Sequence, residues 1–243
     1  MEEFELDNCI DIQFKYEFES CLGDTEGSHY IQDIKASIVR CDENVDEPLL
    51  IGQSKIKILL LEQAMNDDYS IYDVFDTYDY TMRIGRMIYN FDHDCIAPDL
   101  YMKLFGKKDM LNSNICIFER LEILPEYRGL GIGAKFIKDK YINFSSSCGL
   151  IVMQPFPLQL EDQQPQLMKE FDRRMNYALM EQDERKATKS LKDFYKSTGF
   201  VSVSGYKDLM FLRPGFRNRR LEAIDMSEES FMIKIKNRVT KRI

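Results

Sequence analysis

Between Leu121 and Tyr141 the chain reads LEILPEYRGLGIGAKFIKDKY, in which Gly129, Gly131 and Gly133 join an apolar, strand-like run to an amphipathic, helix-like run. A strand fed through such a turn into a helix leaves the first helical N–H groups unpaired at the positive end of the helix dipole. That arrangement favours a phosphate. Glycine lets the backbone approach the anion and adopt turn conformations closed to other residues. Spacing excludes two phosphate loops. GxGxxG needs glycines two and then three apart, whereas these are two and two apart, and GxxxxGK[ST] needs lysine directly after its last glycine, where Ala134 stands instead.

The flanking segments predict a mixed α/β architecture. IDIQFKYEF alternates Ile10, Ile12, Phe14, Tyr16 and Phe18 with polar residues, the period of a half-buried strand. IKASIVRC and LLIGQSKIKILLL read as two further strands, separated by the acidic DENVDEP loop, which makes an antiparallel meander. From Ser70 the spacing of Ile71, Val74, Phe75, Tyr78 and Met82 predicts one long helix to about Tyr89, with Ser70 and Asp73 as a capping-box start. FDHDCIAPDLYMKLFGKKDMLNSN, punctuated by Pro98 and Gly106, reads as a loop with a short helix, a candidate lid.

NICIFERLEIL is the next strand. The helix after the glycines carries Ile132, Phe136, Ile137, Tyr141 and Phe144 inward, and GLIVM is a short buried strand. This βαβ unit makes its two strands parallel inside an otherwise mostly antiparallel, twisted sheet flanked by helices. A polar excursion over 158–189 leads into a helix with Ala187, Leu191, Phe194 and Tyr195 inward and Gly199 at its C-cap. FVSVSG and DLMFL form a closing hairpin. The expected organisation is one domain over 1–212 and a basic, helical extension over 213–243.

Charge and composition narrow the function classes. A net charge of -8 argues against broad binding to nucleic acid or anionic membranes. The extension is the exception: from Arg213 it holds nine Lys/Arg against four Asp/Glu. It has no aromatic interleaving suited to base stacking. Cys9, Cys21, Cys41, Cys95, Cys116 and Cys148 form no CxxC pair and no metal-ligand spacing, which fits reduced thiols in a cytoplasmic protein. Asp92 to Cys95, DHDC, has one histidine and no second cluster, so no metal site is expected. The acidic MEEFELDN start does not resemble a signal peptide, and no apolar run approaches membrane-spanning length.

The pattern [Q/R]-x-x-G-x-[G/A] is filled by Arg128 to Gly133 and resembles the acetyl-CoA signature of the GNAT superfamily of N-acetyltransferases. KSLKDFYKSTGF, Lys189 to Phe200, resembles that family's later helix with its FYxxxGF ending. Together they cover about half the chain, roughly 114–212, in the family's order.

The resemblance implies that the amides of Arg128, Gly129, Leu130, Gly131, Ile132 and Gly133 hold the coenzyme's pyrophosphate. The pantetheine arm would pair with the strand edge at Leu121 to Ile123, where that strand splays from the one after the helix. Tyr195 becomes the candidate acid that protonates the departing thiolate. The reaction implied is direct attack of a primary amine on acetyl-CoA, which needs a base. Strand alternation places Glu119 in the apolar row of Ile115, Ile117, Leu121 and Ile123, and Glu122 on the other face with Phe118 and Arg120; both are candidates.

In one respect the chain departs from the family. GDTEGSHYIQ stands where two acceptor-site helices usually lie, and the helix from Ser70 follows the third strand instead. The acceptor side is rebuilt, so the amine is not named by analogy, and neither is the choice between monomer and homodimer. A non-catalytic acyl-CoA-binding module, and a nucleic-acid-binding protein acting through the basic extension, remain the alternatives.

Overall fold

The computed structural model describes residues 10–19, 27–42, 47–161 and 170–227. Strands β1 (Ile10–Phe18), β2 (Ile31–Asp42) and β3 (Leu49–Leu59) form the expected antiparallel meander. Helices α1 (Leu61–Asn66), α2 (Ile71–Asp76) and α3 (Asp79–Ile88), a small hairpin of β4 (Tyr89–Asn90) and β5 (Cys95–Ile96), and α4 (Pro98–Leu104) follow. The chain returns to the sheet as β6 (Ile115–Ile123), crosses over through α5 (Ile132–Phe144), and re-enters as β7 (Leu150–Met153). Then come α6 (Glu170–Arg174), α7 (Glu184–Ser197), β8 (Val201–Ser202), β9 (Met210–Leu212) and the single turn α8 (Arg219–Glu222).

The seven-stranded sheet has the order β1-β2-β3-β6-β7-β9-β8, antiparallel throughout except for β6 beside β7. Apolar cores line both faces. Phe136 and Ile137 of α5 and Tyr195 of α7 close one face over Ile38, Ile56, Cys116 and Phe118. Phe75, Ile84 and Leu100, from the helices between β3 and β6, close the other over Leu59, Ile115 and Ile117.

Several sequence expectations need correction. The long helix is two helices, because Tyr78 is extended at φ −136° and the Thr81 hydroxyl donates to the carbonyls of Phe75 and Tyr78. The bend folds Phe75 onto Gly85, where an added Cβ would come within 2.6 Å of the ring. Ser70 does cap α2, accepting from the Asp73 amide. The third strand stops at Leu59, since Leu61 and Ala64 are buried at helical spacing and begin α1. Leu100 and Leu104 of α4 are buried in the second core, so this segment belongs to the fold and is no lid. The N-terminal octapeptide, much of the GDTEGSH and DENVDEP turns, residues 162–169 of the excursion and 228–243 of the extension lie outside the described residues.

The correction with the largest consequence concerns β6. Lys55 of β3 pairs with Arg120 and Ile56 pairs with Phe118, so Glu119 is an extra residue, a β-bulge. A bulge exchanges the faces of everything beyond it. Leu121 and Ile123 therefore join the α5 core, while Glu119, Arg120 and Glu122 share the opposite face with Ile117.

Alternation did not anticipate Lys140. It stands on the inner face of α5, 1% exposed, with its ammonium 4.2 Å from the Phe118 ring centroid and 3.1 Å from Ser54 Oγ. Burial lowers its pKa to about 7, with only Cys116 opposing. Between that value and an unfolded pKa near 10.4 the unfolded chain binds more protons, so stability rises with pH across this window. The full cost of the buried charge is carried below pH 7. Denaturant unfolding at pH 7 and pH 9 is expected to give about 2 kcal/mol more stability at the higher pH. Lys140→Met is expected to lose that increment and to be the more stable protein at pH 6.5.

Candidate functional site

Pro125 opens a single 3-10 turn, Pro125–Tyr127, directly after β6. Gly129 at φ 76° and Gly131 at φ 87° are left-handed, and α5 begins at Ile132. Between them Leu130 and Ile132 point into the core, so the sequence alternates an anchoring side chain with a bare backbone position. A Cβ on Gly129 would meet nothing within 4 Å. Gly133 differs: it is helical, and a Cβ there would lie 3.3 Å from both Ile123 Cδ1 and Phe194 Cζ. Two glycines shape the turn and the third seats the helix. No side chain caps α5, so its first N–H groups lie without a side-chain acceptor at the dipole's positive end.

The strand leading into this turn has an open edge. β7 pairs with β6 only from Ile115 to Phe118, whereas β3 stays paired as far as Ile123. The Leu124 amide donates to Ile51 on β3. Strand alternation then turns the N–H and C=O of Leu121 and Ile123 the other way, toward the edge β7 has left. Among the described residues, a strand edge without a strand partner and a helix N-terminus without a side-chain cap thus follow one another along the chain.

Among the described residues, the buried side-chain polar atoms without a hydrogen-bond partner are Tyr80 Oη, Tyr89 Oη, Glu119 Oε1, Arg120 Nε, Gln154 Oε1 and Gln159 Oε1. Such groups are uncommon in folded proteins and point to an absent partner. Tyr80 comes from α3, Glu119 and Arg120 from the bulge of β6, and Gln154 directly follows β7. Burial, then the charge of Glu119, pushes the Tyr80 phenol up to about 12, while Arg83 and the Gln154 backbone amide pull the other way. Tyr195, on α7, is raised by burial and then by Tyr80. It keeps its proton at neutral pH. Tyr80 thus interacts electrostatically with both Glu119 and Tyr195, and no sequence signal had singled it out.

The two candidate bases are in different situations. Glu122 is 3% exposed and fully engaged: it accepts from Gln53 Nε2 at 2.7 Å, Tyr177 Oη at 2.6 Å and Arg120 at 3.2 Å. Glu119 Oε1 lies 3.6 Å from Lys57 Nζ, and Lys57 is bound more closely by Asp33 at 2.5 Å. Glu122 is the more fully engaged of the two, and Glu119 keeps one looser ion pair.

The segment after α6 covers the open edge. Arg128 Nε donates to the Ile123 carbonyl at 2.7 Å and its other nitrogen donates to the Met175 carbonyl at 3.0 Å. Met175 is buried against the α5 core. Of the cofactor-binding candidates, Leu121, Ile123, Gly129, Leu130, Gly131 and Ile132 thus surround one edge and turn, with Gly133 beneath and Arg128 laid across the edge.

Other candidates lie elsewhere. DHDC forms the tip of the β4–β5 hairpin. Lys135 and Lys138 donate to carbonyls between Glu222 and Ser227, which ties the start of the extension to α5. Two surface depressions, one lined by Met87 and Gly205 to Leu209 and one along the outer face of α7, do not include the orphaned atoms. No described helix is long and apolar enough to cross a membrane.

No protein-family model matches the chain, and no curated protein matches it. A solved structure described as the crystal structure of KacTA-DNA complex is similar at 12% identity and a TM-score of 0.38, covering 83% of this chain and 94% of that one. A likeness of that size settles neither fold family nor activity.

The contrast between the carboxylates is measurable. Glu122→Ala removes a buried acceptor from three donors and is expected to cost about 2–4 kcal/mol. Glu119→Ala is expected to stay within about 1 kcal/mol of the parent, because Lys57 keeps Asp33. Urea unfolding of the two variants checks both values.

Proposed function

We propose that this chain is a cytoplasmic GNAT-type N-acetyltransferase that moves an acetyl group from acetyl-CoA to a primary amine by direct attack. The observation that carries the reading is the continuity of the open β6 edge with the bare glycine turn. One offers paired N–H and C=O groups to an amide-containing arm, and the other offers amides and a helix dipole to a pyrophosphate. A coenzyme with both parts in that order would fit a site with both parts in that order.

The fit requires Arg128 to release the Ile123 carbonyl, which also frees Met175. Arg128 is then positioned to meet phosphate oxygens with charge-assisted hydrogen bonds. Bound acetyl-CoA supplies the thioester. The N–H of Ile123, or its neighbour on the open edge, polarises the carbonyl. Glu119 takes a proton from the acceptor ammonium, the free amine attacks the carbonyl carbon, and the carbon–sulfur bond breaks as Tyr195 gives its proton to the sulfur. The second proton lost by the nitrogen returns through water to the Tyr195 phenolate, and Glu119 releases its proton to solvent. The products are an acetamide and the free thiol, with no acyl-enzyme.

Gly131→Val should abolish measurable acetyl-CoA binding in calorimetry, because a β-branched side chain cannot hold φ near 87° and would stand before the amides. Retained affinity would sink the phosphate cradle. Tyr195→Phe should lower thiol release across an amine panel by about 10–100-fold with acetyl-CoA affinity within a few-fold of the parent. Tight coenzyme binding without thiol release from any amine would instead assign the chain to the non-catalytic module.

A further inference from the structure

We infer that the outer face of α7 is a docking surface for double-stranded RNA, held through its phosphates. The inference lies beyond the acetyltransfer reading and does not depend on it.

Arg185, Lys189, Lys192 and Lys196 follow one another along α7 at intervals of four, three and four residues. At about 100° per residue they fall within an arc of about 60°. The arc lies opposite the inward face, where Ala187 and Tyr195 are buried and Leu191 and Phe194 pack against the α5 core. Arg185, Lys189 and Lys196 are exposed and Lys192 is half-buried. The four line one shallow surface depression together with Thr188, Glu184 and Asp193.

These cations are held in place but not neutralised. Lys192 Nζ donates to the Lys207 carbonyl at 2.7 Å, which fixes its charge in the row. Lys196 pairs with Asp193 at 3.6 Å in the open, a contact that costs little to exchange for a phosphate. A second basic segment meets the end of the row. Arg220 Nη1, on α8, donates to the Lys196 carbonyl at 3.0 Å, and Asn218 Nδ2 donates to the Gly199 carbonyl at 3.0 Å. The start of the basic extension therefore prolongs the stripe, on a chain whose net charge is -8.

A row of fixed cations selects a row of anions. Eleven residues of helix carry it over about 16 Å, and a nucleic-acid strand offers a phosphate every few ångströms along its axis. The row contains no aromatic side chain, so bases are not stacked and a single strand gains little. Glu184 and Asp193 flank the row on either side. A flat anionic membrane would press these acids against headgroups, and a helix inserted into the major groove of B-DNA would press them against phosphate walls. A-form RNA has a major groove too narrow to enter, and its phosphates are met from outside. One narrow row of long cationic side chains suits that surface.

The test uses the full chain and a fluorescein-labelled RNA duplex of about 24 base pairs, followed by anisotropy between about 50 and 200 mM KCl. Log affinity is expected to fall against log salt with a slope of about -3 to -4, as four phosphate contacts require. The double variant Arg185→Glu, Lys189→Glu should bind at least tenfold more weakly and flatten that slope by about 2. Both residues are exposed, and Arg185 stands in the first turn, where a carboxylate suits the helix dipole, so the parent melting temperature should be kept. No duplex binding by the parent, or parent-like affinity in the double variant, would overturn the surface. Equal affinity for a DNA duplex or for poly(U) of the same length would overturn the choice of double-stranded RNA. Displacement of the duplex by polyglutamate at equal charge would overturn it in favour of an acidic protein.

Discussion

The β-bulge at Glu119 is the constraint on which the candidate site depends. β6 stays paired with β3 to Ile123 but loses β7 after Phe118, and the bulge, where the β3 register shifts, lies at that point of divergence. It turns Leu121 and Ile123 into the α5 core and leaves their backbone groups on an open edge. It also places Glu119 and Arg120 on the face toward α3. Without the extra residue the strand would remain regular, and Glu119 would follow the same alternation as Leu121.

Packing on both sides fixes this geometry. On one side Gly133 lets α5 approach Ile123 and Phe194, with Leu130 and Ile132 as anchors. Lys140 reaches under Phe118 to Ser54, whose hydroxyl donates to the Arg120 carbonyl, so a hydrogen-bonded chain ends on the bulge itself. On the other side Glu122 gathers Gln53, Arg120 and Tyr177. The more buried carboxylate is therefore tied into the packing around β6, and Glu119 is the less engaged of the two. The Glu119 carboxylate at the bulge is balanced by one looser ion pair, to Lys57.

Features set by local patterning were legible in the sequence. Periodicity and turn residues placed the meander, β6, α5, β7, α7 and the closing hairpin, since each is governed by nearest neighbours and burial. Gly129 and Gly131 carry the positive φ that the alternate spacing suggested. Features set by tertiary register were not legible. Two-residue alternation cannot reveal a bulge, because the extra residue is defined only against Lys55 and Ile56 on another strand. The helix break at Tyr78 was hidden as well, because the apolar spacing runs across it unbroken. Lys140 was not singled out, because a lysine is rarely buried.

The central claim is that β6's open edge and the glycine turn form one continuous binding surface for a pyrophosphate-bearing thioester. Residue-resolved amide hydrogen exchange with and without coenzyme A addresses it most directly. The account predicts added protection at Leu121, Ile123 and Gly129 to Gly133, together with faster exchange around Met175 as Arg128 lets go. Unchanged exchange along the edge and turn, or protection confined to the outer face of α7, would contradict it.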